Sequence, residues 1–308
     1  MKLSIVLSIY NRKKLFSRGL ESIKKQTMDK NDFEVLVIDD GSTDDYTDLF
    51  KNAGINIRHI KIDHTKHDLW KELQESELKK KLKVPELWYH TPALSINVGI
   101  KQAKGEIICI SQPEVIHSPD SMINGYNNAI GGYSQIFGEV LMATDRFNGW
   151  LDNEGKNWDT KSFGELLDIA TNFGKEYEFA AGEYYWFIEF LPKQAAIDIG
   201  GVDEEYLRGV YGEDDNFRIR GQLAVRGEEY RGRIDSRQSW EDCVIGIHQS
   251  HRDENHLKQQ RESAMWNTGA NHNRSRLQEF MKDPQKVANE GKNWGSDKCI
   301  VEEIDYAI

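Results

Sequence analysis

The chain has 308 residues, 38% of them hydrophobic and 30% charged, with a formal net charge of -11 and a mean hydropathy of -0.67. That length suits one large α/β domain, or a domain of about 200–250 residues followed by a tail. The acidic balance argues against general nucleic-acid binding, and no apolar run approaches the ~20 residues of a membrane-spanning helix.

The chain opens on "KLSIVLSIYN", whose apolar run over residues 3 to 9 lacks strict alternation. It predicts a strand covered on both faces, as in a parallel sheet. "RKKLFSRGLESIKKQT" places Leu15, Leu20 and Ile23 at helical spacing between charges and predicts an amphipathic helix. "FEVLVIDDGSTDDY" is a second strand ending in acids, Gly and Ser, with Asp44 as a helix cap. Together these make a right-handed βαβ unit. Residues 55–62 predict a third strand, and "DLWKELQESELKKKLKV" one charged surface helix over the sheet edge. "PALSINVGIKQAKGE" predicts a helix ending on Gly105 as a left-handed cap, followed by the strand "EIICI". "PDSMINGYNNAI" has Pro in the first turn of another helix. Residues 144–180 suggest a loop and a short helix. Beyond them come an aromatic strand, a short helix, a Gly-Gly turn and a helix starting near Asp214. "CVIGIHQSH" is a late strand ending in two histidines, and after about residue 252 the chain turns polar and helix-like, as an extension that wraps the domain or serves assembly. Cys109, Cys243 and Cys299 show no metal-ligand spacing and suit a reducing compartment. The N-terminus lacks the basic start and long apolar centre of a signal peptide, so a cytoplasmic location is expected, with room for peripheral membrane contact.

In an open α/β sheet, ligands bind beyond the carboxyl ends of the strands. Four clusters are predicted there: Ser8-Tyr10-Asn11, Asp39-Asp40, Gln112-Glu114 and His248-His251. Asp39 and Asp40 are turn residues by type, and equally acceptors for a ring N–H or ribose hydroxyls. Glu114 is either a solvated loop acid or an oxygen ligand for a hard cation. Gln112 beside it is neutral and cannot offset a cation's charge. Glu213, Asp214 and Asp215 stand together at a helix start, where the helix dipole favours acids and where a carboxylate within reach of a hydroxyl serves as general base. His248 and His251 offer borderline ligands to Mn²⁺ or Mg²⁺.

Taken in order, these motifs resemble glycosyltransferase family 2, with the GT-A fold, a mostly parallel Rossmann-like sheet flanked by helices. "SIVLSIYNRKKLFSRGLESIKKQT" followed by "FEVLVIDDGSTD" looks like the family's nucleotide-binding half. "ALSINVGIKQAKGEIICI" looks like the helix and strand leading to its D-x-D motif, "IGGVDEEYLRGVYGEDDNFRIR" like its E-D catalytic segment, and "HQSHRDE" like a late metal-binding histidine segment. The resemblance implies a GT-A domain over residues 1–253, with a nucleotide-binding half at 1–115 and an acceptor half at 116–253, and a helical extension at 254–308. It places Ser8, Tyr10, Asn11, Asp40, Asn97 and Gln112 at the nucleotide, and Asp214 as base with Glu213 beside it. It puts D-x-D on Gln112-Pro113-Glu114, so that Glu114 and His251 hold Mn²⁺ or Mg²⁺. Asp39, Asp215 and His248 are further candidates. The implied reaction is an inverting, metal-dependent hexosyl or N-acetylhexosaminyl transfer. The donor is a nucleotide-diphosphate sugar, UDP-linked, and the acceptor is a glycan, a lipid-linked molecule or a protein. A sugar nucleotidyltransferase would need glycines in the first loop, which "SIYNRKK" lacks. A silent nucleotide-sugar-binding protein is the reading kept alive by Gln112. Trp150, Tyr184, Tyr185 and Trp186 are either sugar-stacking rings or core.

Overall fold

The computed structural model describes residues 1–130, 135–153, 155, 157–179, 187–224, 230–231, 244–251, 263–285 and 287–307; Cys243, Tyr184, Tyr185 and Trp186 lie outside this set. Twelve strands form two sheets among the described residues: β1 Leu3–Ile9, β2 Phe33–Asp39, β3 Asn56–Ile62, β4 Ile107–Ser111, β5 Val115–His117, β6 Ile136–Phe137, β7 Glu139–Ala143, β8 Lys175–Phe179, β9 Ile188–Pro192, β10 Tyr230–Arg231, β11 Ile245–His248 and β12 Ile300–Tyr306. The large sheet has eight strands in the order β10-β6-β9-β4-β1-β2-β3-β12, and the small one four in the order β5-β11-β7-β8. The pairings β4-β1, β1-β2, β2-β3 and β10-β6 are parallel, whereas β9 and β12 run antiparallel to their neighbours.

The continuous apolar runs follow from burial on both faces. Leu3, Ile5 and Leu7 of β1 face the helix Lys13–Lys24, sharing a core with Phe16, Leu20 and Ile23. Val6 faces the opposite layer, with Ile96, Val98 and Ile100 of the helix Ala93–Gln102.

Four local expectations change. Gly105 is not a left-handed cap; it is needed because a Cβ there would stand 2.5 Å from the Ser4 nitrogen. The charged segment is two helices, Asp68–Glu75 and Glu77–Leu82, because Ser76 breaks the first and its hydroxyl accepts from Lys79 N to cap the second. Residues 144–180 hold two helices, Asp145–Asn153 and Phe163–Asn172, and β8. Within the first, Trp150 stacks on Phe147 at 5.9 Å, which favours core over sugar stacking. The C-terminal stretch is helical at Ala264–Lys282, yet its last strand, β12, completes the edge of the large sheet beside β3. Among the described residues, no helix is long and apolar enough to cross a membrane.

Candidate active site

The parallel strands β1, β2 and β4 deliver Ser8, Asp39, Asp40 and Gln112 to one end of the sheet. Glu114 enters from the next turn, where Val115 N donates to Gln112 O at 3.2 Å. The antiparallel pairing of β5 with β11 sets His248 opposite Val115 and hence beside Glu114, although 134 residues separate them in the chain (248 less 114). Two contacts fix this turn. The Gln249 side chain donates to the carbonyls of Glu114 and Leu15 at 2.9 and 3.0 Å. Gly19 of the first helix lies so close that a Cβ would meet the Pro113 carbonyl at 2.3 Å.

The Glu114 carboxylate is 3% exposed. Its Oε1 lies 3.0 Å from Arg12 Nη1, 2.9 Å from His251 Nε2 and 3.5 Å from His248 Nε2. Its Oε2 is buried with no hydrogen-bond partner among the described residues, and the same is true of His248 Nδ1. Burial pushes this carboxyl up, but the Arg12 charge and the hydrogen bonds from the two histidines outweigh burial and hold it well below the usual carboxylate range. Burial lowers the basicity of His248 and outweighs its bond to Glu114, which favours the neutral imidazole that a metal requires. A buried ionised carboxylate with one orphaned oxygen, a neutral buried imidazole and a half-open one form an N₂O donor set. Their ligand atoms lie within 4.8 Å of one another, which fits a borderline divalent cation.

Beside them opens a cleft of about 340 Å³ lined by Ser8, Tyr10, Arg12, His90, Gln112, Pro113, Glu114, Phe187, His248 and His251, among others. Gln112 Oε1 stands 3.2 Å from His248 Nε2, so the neutral residue of Q-P-E steadies the histidine. Arg12 and His90 are the residues that sequence reasoning missed here. Arg12 is one of three consecutive cations, and nothing in its spacing marks it as the one that reaches Glu114.

Several expected nucleotide contacts are spent elsewhere. Asn97 is fully buried; its amide nitrogen donates to Val202 O and Glu204 Oε1 at 2.9 and 3.1 Å, and its oxygen accepts from Val202 N at 2.7 Å. It ties its helix to the turn containing Gly200 and Gly201, both at positive φ, and the expectation that it meets the nucleotide is corrected. We expect Asn97→Ala to cost about 1–3 kcal/mol in chemical denaturation, because the partners lose buried hydrogen bonds, with nucleotide affinity unchanged by calorimetry. A drop in affinity without loss of stability would restore its binding role. The Asn11 side-chain oxygen is likewise occupied, accepting from Thr43 N and Oγ1 at 2.7 and 3.0 Å. Asn11 lines an adjoining groove with Lys13 and Lys14 instead of the cleft. Asp39 is sealed between Ser42 N and His59 Nε2, at 2.8 and 3.2 Å. Asp40 is buried, and its two oxygens meet His64 Nδ1 and His90 Nδ1 at 3.1 and 3.2 Å.

The acids Glu213, Asp214 and Asp215 open the helix Glu213–Ala224, after Tyr211 and Gly212 at φ of +73° and +84°. They are not among the residues that line the cleft. Burial raises all three carboxyls, and for Asp214 the neighbouring Glu213 and Asp215 charges raise it further. Asp215 has Arg218 at 3.7 Å, while Glu213 Oε2 has no partner among the described residues. The helix itself is anchored by the buried Arg220, which donates from Nη1 to the carbonyls of Ile199 and Gly201, each at 2.8 Å.

The sequence profile of Glycosyl transferase family 2 matches residues 4–73. A poly(ribitol-phosphate) beta-glucosyltransferase of Bacillus spizizenii is 29% identical over 44% of this chain and 18% of its own length. A GalNAc(5)-diNAcBac-PP-undecaprenol beta-1,3-glucosyltransferase of Campylobacter jejuni is 25% identical over 46% of this chain and 38% of its own length. The matched segments thus span well under half of these relatives. Among solved structures, S. aureus TarS 1-349 in complex with UDP-GlcNAc superposes with a TM-score of 0.52 at 14% identity, covering 94% of this chain and 74% of that one. The mannosyltransferase PcManGT from Pyrobaculum calidifontis, in complex with GDP-Man and Mn2+, reaches 0.50 at 13% identity over 84% of this chain and 60% of that one. With the profile on β1 to β3, glycosyltransferases among its relatives and glycosyltransferase structures of the same fold as neighbours, this chain is similar to glycosyltransferase family 2 over its N-terminal strands and to glycosyltransferases in its fold.

Proposed function

We propose that this protein is an inverting glycosyltransferase that moves a hexosyl or N-acetylhexosaminyl group from a UDP-linked sugar to an acceptor hydroxyl in glycan or polysaccharide synthesis. The observation that carries the reading is the convergence of Ser8, Tyr10, Gln112, Glu114, His248 and His251 on one cleft at the carboxyl ends of the parallel strands. The UDP complex of TarS and the lipid-linked or polymeric acceptors in the relatives' names support the donor and acceptor classes.

Tyr10 is 44% exposed at the end of β1, with His90 stacked on its ring and the rest of the side chain open to meet a base, and Ser8 lines the cleft. Glu114 and His251, aided by His248, would hold a divalent cation, Mn²⁺ or Mg²⁺. Once bound, such a cation offsets negative charge developing on the leaving diphosphate. Asp214 takes the proton from the acceptor hydroxyl as that oxygen forms its bond to the anomeric carbon. The bond from that carbon to the diphosphate oxygen breaks, and the nucleoside diphosphate leaves with the electron pair. One displacement inverts the configuration, so a single base suffices, unlike the paired carboxylates of glycoside hydrolases. Burial and the Glu213 and Asp215 charges raise the affinity of Asp214 for protons, the direction a general base requires.

The test is nucleoside-diphosphate release from a panel of UDP- and GDP-sugars, with and without EDTA. Release from a UDP-sugar that EDTA abolishes and Mn²⁺ restores is expected. Preference for GDP-sugars would overturn the donor assignment. UDP binding with no release from any donor and acceptor pair would establish the silent binding protein instead.

A further inference from the structure

A second group of ligand-type side chains stands beside the cleft. Asp40 ends β2, His64 follows β3, and His90 comes from the segment before the helix Ala93–Gln102. Asp40 Oδ1 lies 3.1 Å from His64 Nδ1, and Oδ2 lies 3.2 Å from His90 Nδ1. One ligand atom from each of the three lies within 4.8 Å of the others. Ligands 2.0–2.1 Å from a tetrahedral Zn²⁺ stand about 3.3 Å apart, a distance close to each of the two spacings from Asp40.

The other nitrogen of His64 gives the argument its direction. His64 Nε2 faces Glu86 Oε1 at 3.3 Å, and Glu86 is held in place by Trp70 Nε1 at 2.9 Å. A histidine with a carboxylate at each ring nitrogen has two states open to it. It is a full imidazolium, or it is a neutral ring that donates Nε2–H to Glu86 while Nδ1 binds a cation. The second is the arrangement by which carboxylates orient metal-binding histidines. The His64 ring is also stacked on Trp88 at 5.2 Å, which fixes its plane. His90 reaches Asp40 from a left-handed backbone, φ +47°, a conformation costly for a residue with a Cβ.

We propose that Asp40, His64 and His90 form a second cation site, separate from Glu114, His248 and His251, that takes a borderline transition ion such as Zn²⁺. Two imidazoles and one carboxylate suit such an ion. Because His90 stacks on Tyr10 at 4.7 Å and lines the cleft, an ion here clamps the residue-90 segment to the end of β2 and sets that wall of the cleft.

The experiment is titration of the whole chain with ZnCl₂ in the absence of nucleotide, read by calorimetry, with Co²⁺ absorption as a second readout. Wild type is expected to bind two ions, the His64→Ala/His90→Ala variant one, and Glu114→Gln to keep the site described here. His90→Ala alone, at a side chain 30% exposed and so tolerant of change, is expected to weaken one site by at least ~10-fold. Unchanged stoichiometry and affinity in both histidine variants would overturn the proposal. Binding of a single ion that the double variant abolishes would uphold it and count against the Glu114 site instead.

Discussion

Asp214→Asn is expected to lower kcat by about 10³-fold while leaving UDP affinity within twofold, since positioned general bases contribute roughly 10²–10⁴-fold. The substitution keeps shape and removes only the ability to take a proton. It should also stabilise the protein. A carboxyl raised by burial and by the Glu213 and Asp215 charges binds its proton more tightly folded than unfolded. Its contribution is therefore favourable at low pH and turns into a cost as pH rises from the unfolded pKa toward the folded one. Asparagine has no such cost, so the melting temperature of the variant should exceed that of wild type at neutral pH, and the gap should close on acidification. Full activity in Asp214→Asn would move the base elsewhere. A lower melting temperature at neutral pH would show that the acids at this helix start are stabilising caps.

Glu114→Gln should abolish Mn²⁺-dependent UDP binding, weakening the metal at least ~100-fold, and turnover with it. The sign of the pH effect here is opposite. Although burial works against ionisation, Arg12 and the histidines hold Glu114 ionised well below the usual range. Its contribution to stability is present above the unfolded carboxyl pKa, about 4.3, and disappears as pH falls through the lower folded value. The stability difference between wild type and Glu114→Gln, followed by thermal unfolding, should thus be largest at neutral pH and shrink below about pH 4. Metal titration unchanged by the substitution would remove Glu114 from the ligand set.

The parallel core was legible because its strands are buried on both faces and carry unbroken apolar runs, as in "SIVLSI" and "EVLVI". The edge was not. β12 alternates exposed acids with half-buried residues, and it joins the sheet through ion pairs of Glu302 with Lys61 and Glu303 with Arg58. A charged edge strand of this kind reads as tail in isolation, yet charge is what keeps such an edge from pairing with other chains. Of the candidate site, Glu114, His248 and His251 were placed together in the sequence by family pattern and meet in space through β5, a three-residue strand. Asn97 was misassigned for a physical reason. A buried amide looks the same in sequence whether it meets a ligand or its own backbone, and the Asn97 side chain is used by the neighbouring Gly200–Gly201 turn. Asp40 was legible as a ligand-type residue, but its histidine partners were not, since His64 and His90 come from separate segments that only the fold joins.

Under the proposed function, Glu114 and His251 would hold a divalent cation that offsets charge on the donor's diphosphate. A crystal grown with UDP and Mn²⁺, with anomalous data collected at the manganese edge, tests it. The claim predicts a peak about 2.0–2.3 Å from a Glu114 carboxylate oxygen and from a nitrogen of His251, with the diphosphate on its far side. Bound UDP with no anomalous peak at Glu114, or with the peak only elsewhere, would contradict it.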